Sequence, residues 1–143
     1  MARYTATIRT PWSPEKAFSY MSDLRNFEEW DPGVSSSKLV EGDEPGSDAA
    51  YDVKVSGTEL RYETREFDPP RRTVVEARTA LLRSYDIIEV TAAPGGTEVL
   101  YDATLELNGP LRIADPILGL FFKRIGDKAA GGMQNILEGE RIE

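Results

Sequence analysis

Residues 115–139 decide the fold, and they read DPILGLFFKRIGDKAAGGMQNILEG. Asp115 is able to cap the free amide groups of a first helical turn, and the fixed φ of Pro116 suits the first helical position. Gly139 can take the left-handed conformation that commonly ends a helix. The stretch therefore predicts one helix of roughly 35 Å at 1.5 Å per residue, which is long enough to cross a small domain.

One side of this helix is predicted to be covered. A step of 100° per residue puts most apolar side chains on one stripe and most charged side chains opposite it. A single amphipathic helix needs a partner surface, and the preceding sequence is mostly strand-like, so a curved sheet is the expected cover. The predicted buried stripe consists of Leu118, Phe121, Phe122, Ile125, Ala129, Gly132, Met133 and Ile136.

The composition limits the classes of function that the chain can have. Its 143 residues suit a single domain, 1–143, which is large enough to form a core without metal or disulfide support. The absence of cysteine and histidine excludes thiolate nucleophiles, His-based triads and the metal sites built from these residues. We therefore expect no cofactor and no bound metal.

Charge and hydropathy bear on partners and location. The formal net charge of -8 argues against nucleic acid and against anionic membrane surfaces, because both are bound through clustered positive charge. The first residues lack the apolar run of a signal peptide, and no later run approaches the length of a membrane span. We expect a cytoplasmic protein without membrane insertion.

The chain before the long helix shows the period-two alternation of half-buried strands. Residues 3–9 form a first strand, and two short helices through Phe18 and Trp30 follow it. From residue 34 to residue 107, strand signals alternate with turns. The predicted class is α+β, with one strand, two short helices, about six further antiparallel strands and one long helix. The turns are marked by Ser56-Gly57, Pro69-Pro70 and Pro94-Gly95-Gly96.

Several runs of this sequence occur together, in order and spacing, in a known family. They are Pro11-Trp12-Ser13-Pro14-Glu15-Lys16-Ala17-Phe18, residues 23–33 (DLRNFEEWDPG), Phe67-Asp68-Pro69-Pro70-Arg71-Arg72, Gly95-Gly96-Thr97, and the Asp115-Pro116 helix with Phe121, Phe122, Lys123 and Arg124. With these runs, the whole chain resembles the polyketide cyclase/dehydrase and lipid-transport family. That family belongs to the START and birch-pollen-allergen superfamily, which is also called SRPBCC.

The resemblance implies a fold more specifically than an activity. It implies a helix-grip fold, in which a curved seven-stranded antiparallel sheet wraps around the C-terminal helix and leaves an internal cavity between them. The superfamily contains carriers, sensors, ubiquinone-binding chaperones and cyclases. No catalytic motif of the cyclase members matches this chain position by position, so the catalytic residues are unknown.

A ligand in such a cavity would meet mainly apolar and aromatic side chains. Each of these side chains has a second interpretation as a plain core residue, since spacing alone does not separate a core from a cavity wall. The predicted ligand-binding residues are Trp30, Tyr62, Tyr85, Asp86, Tyr101, Phe121, Phe122, Ile125 and Met133.

Residues 82–92 can face the interior in either of two phases. One phase turns Asp86 inward and the other turns Tyr85 inward. Glu66 shares its predicted strand face with Tyr62 and is the other candidate for an inward carboxylate. An inward carboxylate is costly unless it is paired or protonated, and a raised pKa would make it a candidate general base. The commoner alternative for both acids is a solvated position on the outer face.

Three classes of function remain open at this level. The favoured hypothesis is a carrier or sensor that binds a small hydrophobic molecule, either lipid-like, aromatic or polyketide-like. The alternative is a cyclase or dehydratase, which would use Asp86, Glu66 or a tyrosine as acid or base. A protein-interaction role would need a large exposed apolar patch, hinted at by Ile113, Ile117 and Leu120, and a homodimer is a further alternative.

Overall fold

The computed structural model describes the backbone of residues 1–143 and every side chain except those of residues 112–116. The strands form one antiparallel sheet. Their bounds are β1 (Ala2–Thr10), β2 (Val34–Glu41), β3 (Ala50–Val55), β4 (Thr58–Asp68), β5 (Arg72–Arg78), β6 (Leu82–Ala93), β7 (Gly96–Leu107) and β8 (Glu140–Arg141). The spatial order is β2-β3-β4-β5-β6-β7-β1-β8.

The helices fall where the start signals predict them. The two short helices are α1 (Pro14–Met21), capped by the Ser13 side chain, and α2 (Phe27–Trp30), which follows a single 3-10 turn capped by Asp23. A second 3-10 segment, Gly109–Ala114, leads into the long helix α3 (Asp115–Leu137). The interpretation of Asp115 as a helix cap lies outside the described side chains.

Turn chemistry and alternation explain the hairpins of the sheet. Ser56 and Gly57 have φ values of 48° and 83°, the left-handed pair that a tight two-residue hairpin requires, and they join β3 to β4. On β1, Tyr4, Ala6 and Ile8 are buried in the core that lies between the sheet and the helices. The sheet has eight strands rather than the implied seven, because the short β8 pairs with the outer edge of β1.

Two glycines set the contact between α3 and the rest of the molecule. A Cβ atom at Gly126 would lie 2.4 Å from the ring of Tyr4, and a Cβ at Gly132 would lie 1.8 Å from the carbonyl oxygen of Trp30. The helix backbone therefore packs directly on β1 and on α2. Ala130 and Met133 continue this buried face.

The predicted stripe is wrong at two of its large members. Phe121 is 56% exposed and Ile125 is 41% exposed, whereas Phe122 and Leu118 are half-buried. Phe121 directly precedes Phe122, and Ile125 directly precedes Gly126, and both of these following residues face the interior. The phase is fixed by the close approach at Gly126, which turns the helix by about one residue from the stripe that hydrophobicity favours.

The end of α3 also differs from the prediction. The left-handed residue is Glu138, with a φ of 55°, rather than Gly139. Gly139 is needed for another reason, because a Cβ atom there would lie 2.2 Å from the carbonyl oxygen of Arg9 on β1. Among the described residues, none of the helices has the length and apolarity needed to cross a membrane.

Candidate functional site

A cavity of about 210 Å³ lies between the inner face of the sheet and the first half of α3. Its floor comes from β4, β6 and β7, and its side from α2 and the loop that follows it. Most of its lining is apolar or aromatic. The lining residues are Phe27, Asp31, Val55, Ser56, Thr58, Leu60, Tyr62, Leu82, Ser84, Asp86, Tyr101, Ala103, Leu105, Leu118, Phe122 and Ile125.

Five of the predicted ligand-binding residues meet around this cavity. Tyr62 on β4, Asp86 on β6 and Tyr101 on β7 come from three strands of the sheet, and Phe122 and Ile125 come from α3. The remaining four predicted residues lie elsewhere: Trp30, Tyr85, Phe121 and Met133.

Tyr85 is on the other face of the sheet from Asp86. Strand β6 buries Ser84, Asp86, Ile88 and Val90, so the residues between them point outward. The Tyr85 ring is half-buried on the outer face beneath the Arg83 guanidinium, at 4.6 Å from the ring centroid. Since successive side chains of a strand point to opposite faces of the sheet, Tyr85 cannot line the cavity when Asp86 does. The prediction of Tyr85 as a lining residue is therefore wrong.

The other three residues lie outside the cavity lining for different reasons. Met133 is fully buried in the core at the far half of α3, and Phe121 points away from the sheet into solvent. Trp30 lies behind the cavity wall. Its ring stacks on Phe27 at 4.8 Å and meets the Tyr101 ring edge-on at 5.3 Å, and both of these neighbours line the cavity.

The second candidate acid, Glu66, faces outward. An irregularity in the pairing of β4 with β5 between Thr64 and Glu66 breaks the alternation that starts at Leu60. Phe67 takes the inward position and its ring meets that of Phe18. The Glu66 carboxylate lies instead on the exposed face, where it pairs with Arg72.

Asp86 is a buried ionisable group of the cavity. Burial raises the pKa of its carboxyl from 3.8 to about 8, and the nearby charges of Asp31 and Asp102 act in the same direction. A hydrogen bond with the Tyr101 hydroxyl opposes the rise. The group is therefore mostly protonated at neutral pH and can donate a hydrogen bond into the cavity, or lose its proton when a cation comes close.

The phenols of the cavity remain protonated. Burial, followed by the charge of Asp86, raises the pKa of both Tyr62 and Tyr101 above the usual value for tyrosine. The Tyr62 hydroxyl is 2.7 Å from the Ser84 hydroxyl, which fixes its direction. These hydroxyl groups can orient a polar ligand atom, but they are poor bases near neutral pH.

Asp31 is the functional candidate that sequence reasoning missed. It follows α2 directly in Asp31-Pro32-Gly33, a run that reads as a turn, and its Oδ1 does accept the Gly33 amide hydrogen bond at 2.9 Å. The carboxyl is nevertheless buried and lines the cavity, and burial raises its pKa. The available signal was its position immediately after Trp30, which is predicted to be covered. Among the described side chains, no three acids are grouped as a metal site would require.

The fluorescence of Trp30 can be used to follow changes in this region. With Trp12 replaced by phenylalanine, we expect blue-shifted emission in the folded protein, because the Trp30 indole is 1% exposed. A molecule that enters the cavity beside Phe27 and Tyr101 should change the intensity of this emission. Fluorescence titration of Trp12→Phe measures both effects, and Trp30→Phe is the control. Emission from Trp12→Phe that resembles free tryptophan in water would contradict the buried position.

The class of the protein follows from comparison with known families. The family model described as polyketide cyclase / dehydrase and lipid transport matches residues 1–138, so the chain belongs to this family. The resemblance seen in the sequence runs is thereby confirmed. No curated protein matches the chain.

Solved structures support the fold. A START superfamily protein from Mycobacterium smegmatis is similar with a TM-score of 0.74 at 14% identity, covering 96% of this chain and 98% of that one. A crystal structure from Thermus thermophilus gives a TM-score of 0.75 at 17% identity, covering 95% and 97%. The di-domain ARO/CYC BexL from the BE-7585A biosynthetic pathway gives 0.68 at 21% identity, covering 96% of this chain and 50% of that one.

Proposed function

We propose that the protein binds a small, mainly apolar molecule in the cavity between β4, β6, β7 and α3, and acts as a carrier or sensor of that molecule. The observation that carries the proposal is the cavity itself, which lies between the sheet and α3 and is lined mainly by apolar and aromatic side chains. Apolar walls with a few polar groups are typical of small-molecule sites.

The size of the cavity sets the size of the bound part of the ligand. An engineered cavity of about 150 Å³ is enough to admit benzene. At about 210 Å³, the present cavity suits a body of one or two rings or a short alkyl segment. A longer molecule would extend past the half-exposed side chain of Ile125, which lies at the rim.

A second function is favoured by one specific observation. The pKa of Asp86 lies at about 8, and its carboxyl is hydrogen-bonded to Tyr101, so it could donate or accept a proton near neutral pH. This supports a cyclase or dehydratase that acts on a ligand in the same cavity, and BexL of similar fold is an ARO/CYC of a biosynthetic pathway. Native mass spectrometry of the purified protein would identify a retained molecule. Product formation from that molecule, lost in Asp86→Asn while binding persists, would favour the enzyme over the carrier.

Filling the cavity should weaken binding. Ala103 is buried on β7 and lines the cavity, so we expect Ala103→Phe to place its ring inside and to lower affinity for a hydrophobic probe by at least about tenfold, which is about 1.4 kcal/mol. The matched control is Thr104→Phe, one residue along the strand on the outer face, which should bind as wild type does. Titration with the probe, after cooperative unfolding of both variants has been verified, measures the effect. Equal affinity in the two variants would place the ligand outside this cavity.

A further inference from the structure

The ionisable groups of the cavity are all acids. Among the described residues that line it, two are carboxyls, Asp31 and Asp86, two are phenols, Tyr62 and Tyr101, and none is a lysine or an arginine. The two carboxyls are buried and come from different parts of the fold, the loop after α2 and strand β6. A ligand inside would therefore meet negative charge or neutral hydroxyl groups, together with aromatic faces.

We infer that the ligand carries a cationic amine, held as an ammonium group by the Asp31 and Asp86 carboxylates, on an apolar body of one or two rings. The inference rests on the proposed binding function and specifies its ligand class. No covalent step is involved. The ammonium enters with its proton, and Asp86 releases its own proton to solvent when the ion pair forms.

Charge separates the possible ligands. A carboxylate or phosphate ligand would bring a like charge next to Asp31 in a water-poor site, where repulsion is several times stronger than in water. A neutral alcohol or ketone could accept a hydrogen bond from protonated Asp86, but it would leave the negative charge of the site uncompensated. An ammonium compensates this charge, and the rings of Tyr62, Tyr101 and Phe122 also attract a cation that lies over their faces.

The surroundings of Asp86 decide how binding depends on pH. Its neighbour on β5 is Val75, and α3 faces the cavity with apolar side chains. The tyrosines stay protonated, and the Asp102 carboxylate on the outer face is paired with Arg3. Asp86 is therefore the group of the cavity that changes charge when the amine binds. The groups that act on the pKa of Asp86 are Asp31, Asp102 and Tyr101.

An amine should consequently bind better as the pH rises. An empty cavity holds the Asp86 proton up to a pKa of about 8, and the bound ammonium displaces it. One proton released per amine bound raises the affinity about tenfold per pH unit below this pKa. An alkyl ammonium stays charged over the same range, so the ligand itself contributes no comparable change.

The test uses three probes that share one ring system. Naphthalen-2-ylmethylamine, naphthalen-2-ylmethanol and naphthalene-2-carboxylic acid are titrated calorimetrically into the full chain at pH 6, 7 and 8. We expect the amine to bind at least about tenfold more tightly than the alcohol at pH 8, and about tenfold more tightly at pH 7 than at pH 6. The acid should show no measurable binding.

Variants separate this inference from the function on which it rests. Asp86→Asn should lose most of the preference for the amine over the alcohol, together with the pH dependence of amine binding. Glu66→Gln, which removes an exposed carboxylate of the outer face, should keep both. Alcohol binding equal to amine binding at pH 8, or an amine preference that survives undiminished in Asp86→Asn, would overturn the inference while leaving the binding function standing. Failure of all three probes to bind would overturn the binding function as well.

Discussion

Asp86→Asn should become more stable relative to the wild-type protein as the pH rises, by about 1.4 kcal/mol per pH unit between pH 5 and 7. The reason is burial, which raises the pKa of Asp86 from 3.8 to about 8 in the folded protein. Above pH 4 the unfolded chain releases this proton while the folded protein still holds it. Folding then takes up a proton, so stability falls with pH until the folded pKa is reached.

Asparagine has nearly the same shape as aspartic acid and does not titrate, so the variant does not lose stability in this way as the pH rises. Denaturant unfolding of both proteins at pH 5, 6 and 7 gives the difference directly, and it should grow by about 3 kcal/mol over the range. Glu66→Gln is the control, because its carboxylate is on the outer face, and its difference from wild type should stay constant within about 0.5 kcal/mol. A constant difference for Asp86→Asn would mean that the carboxyl is ionised in the folded protein at pH 5.

The strand and turn pattern could be predicted because its signals are local. Ser56-Gly57 supplies the two left-handed residues of a tight turn, and Ser13 and Asp23 cap the first two helical segments as their sequence context indicates. Each of these features depends on residues within a few positions of one another. The short strand β8 was missed because its two residues pair with β1, which is distant in sequence and gives no local signal.

The inward face of the strands could be predicted only where hydrophobicity alternates clearly. On β1, apolar and polar residues alternate, and the predicted face is the buried one. On β6, Tyr85 and Ile87 compete with Ile88 and Val90, and the pairing with both neighbouring strands decides in favour of Asp86. A local pattern does not contain this information.

Irregular backbone and close packing limited the prediction of the site. The irregularity after Thr64 turns Glu66 outward, and nothing in the run of residues around it signals the extra residue. Asp31 is drawn into the cavity wall by the burial of α2, although its sequence context is that of an ordinary turn. Two acids define the electrostatics of the cavity. For Asp86 the sequence left two orientations open, and Asp31 was not predicted at all.

The face of α3 that contacts the sheet depends on its glycines more than on its large apolar residues. Hydrophobicity alone favoured Phe121 and Ile125 as buried residues, yet both are exposed, because Gly126 must face the ring of Tyr4. The same reasoning applies six residues further along the helix. There Gly132 lies against the backbone of Trp30, which carries the aromatic cluster behind the cavity.

Gly132→Ala should therefore destabilise the protein by about 2 kcal/mol or more, although alanine is the better helix former. Its Cβ would lie 1.8 Å from the carbonyl oxygen and 2.7 Å from the carbonyl carbon of Trp30. These are backbone atoms, so the clash can be relieved only if α3 moves away from α2. That movement would loosen the packing of Trp30 and shift its emission to longer wavelength in the Trp12→Phe background.

Gly131→Ala is the matched control for this change. It lies one position earlier in the same helix, and a Cβ atom there meets nothing within 4 Å. Its only expected effect is the gain from replacing glycine by alanine in a helix, about 1 kcal/mol, with Trp30 emission unchanged. The free energy of unfolding measured in urea should thus fall for Gly132→Ala and rise for Gly131→Ala, although the two substitutions are identical and adjacent. If both variants gain stability, α3 does not pack on α2 through Gly132, and the placement of Trp30 behind the cavity loses its support.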